Sequence, residues 1–220
     1  MINLHPFINL HTHRKPRLSQ EHVVRNGYLL PLDILKNLPY AVSCGLHPWL
    51  ISNNHFEQLN HLEDLINNVP NICALGECGL DRVKGPAMEI QLEAFKIQIQ
   101  LANHYRKTLI LHLVKTYSDF LAISKKIQVP CIVHGFKGNA TEANQLIQSG
   151  ASLSFGPRLL NDLKTQEIFT QIPLNKVYLE TDTKPIMIDV VYNKAAALKN
   201  LDLVVVRETI WNNFARDFNQ

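Results

Sequence analysis

No apolar run in this chain of 220 residues approaches the length needed to cross a bilayer. The amino-terminal Met1-Ile2-Asn3-Leu4-His5 has neither the basic segment nor the apolar stretch of a secretory leader, so the expectation is a cytoplasmic protein with no membrane partner. Cysteine is scarce. Cys44, Cys73, Cys78 and Cys131 form no C-x-x-C pair and sit in or beside apolar segments, which predicts reduced, buried thiols rather than a disulfide scaffold or a zinc knuckle. Charge of one sign is also lacking: a formal net charge of +3 neither demands nor excludes a polyanionic partner. Linkers, repeats and low-complexity segments are absent, so residues 1–220 read as a single domain.

What the chain does have is alternation. Short apolar runs at Phe7–Leu10, Ala41–Leu46, Ile72–Gly76, Leu109–Leu113, Cys131–His134, Ala151–Phe155 and Val177–Glu180 read as strands buried on both faces. Between them lie stretches of helical period. Met88, Leu92, Phe95, Ile99 and Ala102 share one helical face, as do Phe56, Leu59, Leu62, Leu65 and Val69. Asn139 with Glu142 predicts a capping box, and Gly150 the end of that helix. Repeated strand–helix units predict an α/β fold, a TIM-like (β/α) barrel. Only His22–Leu30 is left for an eighth strand, so the expected barrel is distorted, with a short or missing second strand.

The chain has ten histidines, and their placement is informative. His11 and His13 follow the first strand, and residues two apart on a strand point to the same side. Glu77, His112, His134 and Asp182 stand at or just beyond the ends of four later strands. In a parallel barrel those ends form one face, where active sites are built. Four imidazoles and two carboxylates suit a pair of divalent ions, with Glu77 the natural bridge because a carboxylate offers two oxygens.

These residues stand in segments that resemble the TatD family of metal-dependent deoxyribonucleases. The segments are Asn9-Leu10-His11-Thr12-His13, Cys44-Gly45-Leu46-His47-Pro48-Trp49, Ala74-Leu75-Gly76-Glu77-Cys78-Gly79-Leu80-Asp81, Leu111-His112, His134-Gly135-Phe136-Lys137-Gly138 and Leu179-Glu180-Thr181-Asp182. The resemblance implies hydrolysis of DNA phosphodiesters by a hydroxide that two divalent ions activate. It implies that His11, His13, Glu77 and Asp182 hold one ion and that Glu77, His112 and His134 hold the other. Asp182 would orient the attacking water or take its proton, and His47 would face the substrate phosphate. A histidine-rich ligand set suits Zn or Mn better than Mg, the metal usually ascribed to the family. Two departures stand out: Asn9 replaces an aspartate common before the H-x-H pair, and Thr183-Lys184-Pro185 replaces the usual sequence after Asp182.

Arg14, Lys15, Arg17, Arg82, Lys84, Lys115, Lys137, Arg158 and Lys184 all follow strands, predicting a positive rim around the metals. Arg14, Lys137 and Arg158 are the expected phosphate contacts. Two alternatives remain. One is a metal-dependent amidohydrolase or lactonase, for which a modified lysine rather than Glu77 is the usual bridge. The other is a nucleic-acid-binding protein with a vestigial site, which Asn9 alone favours.

Overall fold

The computed structural model describes residues 4–218. Its sheet has eight strands in sequential order, every neighbouring pair parallel. They are β1 (Phe7–Thr12), β2 (Glu21–Asn26), β3 (Ala41–Cys44), β4 (Ile72–Asp81), β5 (Thr108–Val114), β6 (Cys131–Val133), β7 (Ser152–Phe155) and β8 (Val177–Leu179). A parallel bridge from Thr12 to Asp182 joins the two ends of the sheet, so closure occurs just past β8. The fold is a nearly closed TIM barrel.

The helices are α1 (Leu32–Lys36), α2 (His55–Asn68), α3 (Met88–Tyr105), α4 (Tyr117–Ile123), α5 (Ala140–Gln148), α6 (Leu163–Gln171), α7 (Ile188–Lys199) and α8 (Leu203–Phe218). None of the described helices is long and apolar enough to cross a membrane. Asn139 and Glu142 form the expected capping box at the start of α5, which satisfies two backbone N–H groups otherwise left bare. On α2 the buried stripe is His55, Leu59, Leu62, Leu65 and Ile66, while Phe56 points outward, 54% exposed.

The second strand corrects the sequence expectation. β2 is six residues long and pairs with both β1 and β3, so it is neither missing nor the shortest. Only Val23 and Val24 are fully buried, and the flanking residues are polar, which hides the strand from a hydropathy reading. No helix intervenes between β1 and β2. Instead α8, against β1 and β8, sets Trp211 and Phe214 on the His22 ring. Arg25 donates to the Tyr40 hydroxyl.

Asn9 lies at this closure. Its amide donates to Glu21 Oε1 at 2.8 Å and to Thr181 Oγ1 at 2.9 Å, and its carbonyl accepts from Thr181 N–H at 3.0 Å. An aspartate here would set a second carboxylate against Glu21 and offer it no proton. Asparagine is thus matched to Glu21, and it ties β1, β2 and the end of β8 together.

Candidate metal centre

Two irregularities in the sheet aim the site. Between Asn9 and Thr12, β1 carries one residue more than β2. Between Gly76 and Cys78, β4 carries one residue more than β5, and that residue is Glu77. A bulge of this kind turns a side chain away from its regular direction. Glu77 therefore lies within β4 rather than after it, as the sequence suggested. Gly76 allows the close approach: a Cβ there would lie 2.4 Å from the Ile110 carbonyl oxygen.

Asp182 is fixed from the other side. Its N–H donates to the His11 carbonyl at 3.0 Å, and its own carbonyl accepts from His13 N–H at 3.3 Å. The residue sits in the left-handed region at φ 51°, a conformation unusual for a residue with a Cβ and held here by those two bonds.

The donor atoms converge on Glu77. Its Oε2 lies 3.2 Å from His11 Nε2 and 3.7 Å from His13 Nε2. Its Oε1 lies 2.8 Å from His134 Nε2 and 3.3 Å from His112 Nδ1. Asp182 Oδ1 is 3.8 Å from His11 Nε2 and 3.7 Å from His13 Nε2. The structure thus brings together all six ligand candidates, in groups whose donor atoms lie within 4.8 Å of one another.

His47 is the seventh member of the cluster, with Nε2 3.5 Å from Glu77 Oε1. Its Nδ1 accepts the Trp49 backbone N–H at 3.0 Å, which leaves the proton of the neutral ring on Nε2. Burial lowers its pKa against the pull of Glu77, so the neutral form is favoured. A protonated Nε2 donates and does not ligate a metal.

Two acids that sequence reasoning passed over stand behind the cluster. Asp81, buried at the end of β4, accepts from His112 Nε2 at 3.0 Å and from Trp49 Nε1 at 2.7 Å on Oδ2. Its Oδ1 accepts from the backbone N–H groups of Val83 and Lys84. Glu180, also buried, sets Oε1 3.5 Å from His134 Nδ1. Such carboxylates fix the tautomer and direction of a ligating imidazole.

Charge follows from this packing. Burial opposes ionisation of Glu77, but His134, His11 and His112 outweigh it and hold the carboxyl well below the usual range. Burial likewise opposes a charged His134, and Glu77 with Glu180 raises it well above an ordinary histidine. Burial raises Asp81, yet the hydrogen bonds from His112, Trp49 and the backbone bring it below its usual value.

Beside the cluster opens a cavity of about 870 Å³ with His112, His134 and Asp182 among its lining residues. Leu113, Phe136 and Ile186 supply apolar wall, and Lys115, Lys137, Arg158 and Lys184 also line it. Of the expected phosphate contacts, Lys137 and Arg158 are brought to this cavity and Arg14 is not. Arg14 instead donates to the Thr183 carbonyl. Arg158 is ion-paired with Asp162 and Arg82 with Asp119, whereas Lys137 forms no ion pair among the described residues.

Fold and cluster together define a class: a (β/α) barrel with a histidine–carboxylate centre at the carboxyl ends of its strands. The chain belongs to the TatD family, whose model, described as TatD related DNase, matches residues 31–219. His11 and His13 precede that match, and the barrel geometry is what brings them in. YjjV of Escherichia coli K12, described as an uncharacterized metal-dependent hydrolase, is 29% identical over 150 residues, covering 66% of this chain and 58% of the relative. YcfH of the same organism, described likewise, is 28% identical over 215 residues, covering 88% of this chain and 79% of the relative. The chain thus spans little more than half of YjjV in the sequence match. The crystal structure of YjjV superposes with a TM-score of 0.83 at 23% identity, covering 97% of this chain and 98% of that one.

Proposed function

We propose that this protein is a divalent-metal-dependent hydrolase that cleaves phosphodiester bonds of DNA. The observation that carries the reading is the convergence of His11, His13, His112 and His134 on the single carboxylate of Glu77, with Asp182 set against His11 and His13. The residues fit divalent ions. Among the described residues, both ring nitrogens of the buried His11 lack hydrogen-bond partners. Donors that share an ion at about 2 Å each stand roughly 3–3.5 Å apart, close to the gaps around Glu77. His11, His13, Glu77 and Asp182 would hold one ion, and Glu77, His112 and His134 a second. Such ions supply Lewis-acid activation of water and neutralise charge on the phosphoryl group.

The chain's own residues do the rest. Asp182, whose side chain is 40% exposed, orients the attacking water and takes its proton. His47 hydrogen-bonds a phosphoryl oxygen through its Nε2–H. Lys137 and Arg158 meet the neighbouring phosphates from the cavity wall, and the family's description as DNases supports that substrate. The test is reconstitution with Mn or Zn, followed by assays on a DNA oligonucleotide, a phosphomonoester and an uncharged ester. Binding near two ions per chain, with cleavage of the oligonucleotide foremost, is expected. Ester turnover exceeding DNA cleavage would favour the amidohydrolase reading instead.

A further inference from the structure

The cavity lies on one side of the metal centre. On the other, between β3 and β4, an exposed aromatic stands beside the cluster. Trp49 is 46% exposed, yet it is held in place. Its indole N–H is bonded to Asp81, and its backbone N–H to His47. Its ring centroid lies 4.9 Å from that of His47 and 5.6 Å from that of His112. A large apolar ring kept in water at a fixed orientation is unusual unless something covers it.

Lys84 lies on that ring, its ammonium 3.8 Å from the centroid. It forms no ion pair among the described residues, so the indole is its resting place. The loop that carries it is docked on the Trp49 turn. Gly85 sits at φ 110°, where a Cβ would meet the Pro48 carbonyl oxygen at 2.8 Å. Gln91 braces the same loop from α3 by bonds to Asp81 and Pro86.

We propose that Trp49 and Lys84 form a nucleotide subsite, the indole stacking on an unpaired base and the ammonium meeting the adjoining phosphate. Rigid aromatics with neighbouring cations bind single strands in this way, because every base has a π-face. Lys84, on a flexible stem, leaves the ring as the base arrives. The subsite rests on the nuclease reading and deepens it by naming the side chains that hold the base beside the scissile phosphate.

The test is steady-state cleavage of an oligothymidylate by the metal-loaded protein, with single abasic residues stepped along the strand. Trp49→Ala should raise KM about tenfold, with little change in kcat. At one abasic position the substrate itself should bind worse, and Trp49→Ala should then add nothing. Trp49→Phe keeps a stacking ring but loses the bond to Asp81, and it should retain most of the affinity. Lys84→Gln should raise KM and flatten its salt dependence. An unchanged KM in Trp49→Ala, or a rise that ignores the abasic position, overturns the subsite while leaving the nuclease reading intact. Equal damage in Trp49→Phe and Trp49→Ala overturns stacking in favour of a bond to Asp81. Failure of the wild type to cleave any of these strands removes the nuclease reading and the subsite together.

Discussion

The two sides of the Glu77 carboxylate hold their partners by different means. On the β1 and β8 side, His11, His13 and Asp182 are fixed through backbone: the Asp182 peptide bonds His11 and His13 across the barrel seam. Side-chain support is thin there: among the described residues His11 Nδ1 has no partner, and its Nε2 faces Glu77 and Asp182 of the cluster itself. On the β5 and β6 side, each imidazole has a buried carboxylate behind it, Asp81 for His112 and Glu180 for His134. One half of the site is positioned by closing the barrel, the other by charge in the interior. A substitution that spares the backbone should therefore be read differently on each side.

The largest expected effect is on the seam side. Asp182→Asn keeps shape and removes charge, while both backbone bonds to β1 remain. Folding should be unaltered by circular dichroism and thermal melting, and kcat on a validated DNA substrate should fall about 10²–10⁴-fold. Near-normal turnover would move the proton-accepting role elsewhere, with His47 the next residue to try.

A smaller effect should come from the other side, and it should be selective. All four contacts to Asp81 are donors, and an amide nitrogen cannot accept. Asp81→Asn must therefore lose a bond to His112, to Trp49 or to the loop. Calorimetric titration with Mn or Zn should show one ion bound about 10–100-fold more weakly and the other nearly unchanged. Equal weakening of both ions would mean that the two halves are one unit.

His11 and His13 are legible only as part of a set: an H-x-H pair alone is more often exposed or merely hydrogen-bonded, and it is the strand-end rule that gathers His112, His134 and Asp182 with them. Asp81 and Glu180 are not legible, because an acid after a strand reads equally well as a solvated loop residue or a helix cap. Only the fold shows that Asp81 is buried and fully bonded. Glu77 was found, but not the bulge that aims it; Gly76 and Gly79 beside it were the available hint. β2 reads poorly because its outer residues are polar, and His22 and Arg25 are only half-buried, against Trp211 and Phe214 from α8 and Tyr40 before β3. Asn9 reads in sequence only as a departure from the family's aspartate, and the fold shows it to be the partner of Glu21 and Thr181.

The smallest expected effect concerns the basic residues, and it divides the rim that sequence treated as uniform. If phosphates contact the cavity wall, binding of a short single strand should weaken with salt, log K falling against log salt by about 0.7 per phosphate neutralised. Lys137, with no ion pair among the described residues, should contribute close to a full step, so Lys137→Gln should flatten the slope by about that amount. Arg158 already shares its charge with Asp162, and an exposed pair of this kind is only weakly held. It must leave that partner to meet a phosphate, so Arg158→Gln should flatten the slope less. Arg14, bonded to Thr183 outside the cavity, should matter least of the three. Fluorescence anisotropy over a salt series measures each slope without requiring turnover. An Arg14 variant that flattened the slope more than Lys137→Gln would place the strand along the β1 seam, and the cavity would then not be where the phosphates lie.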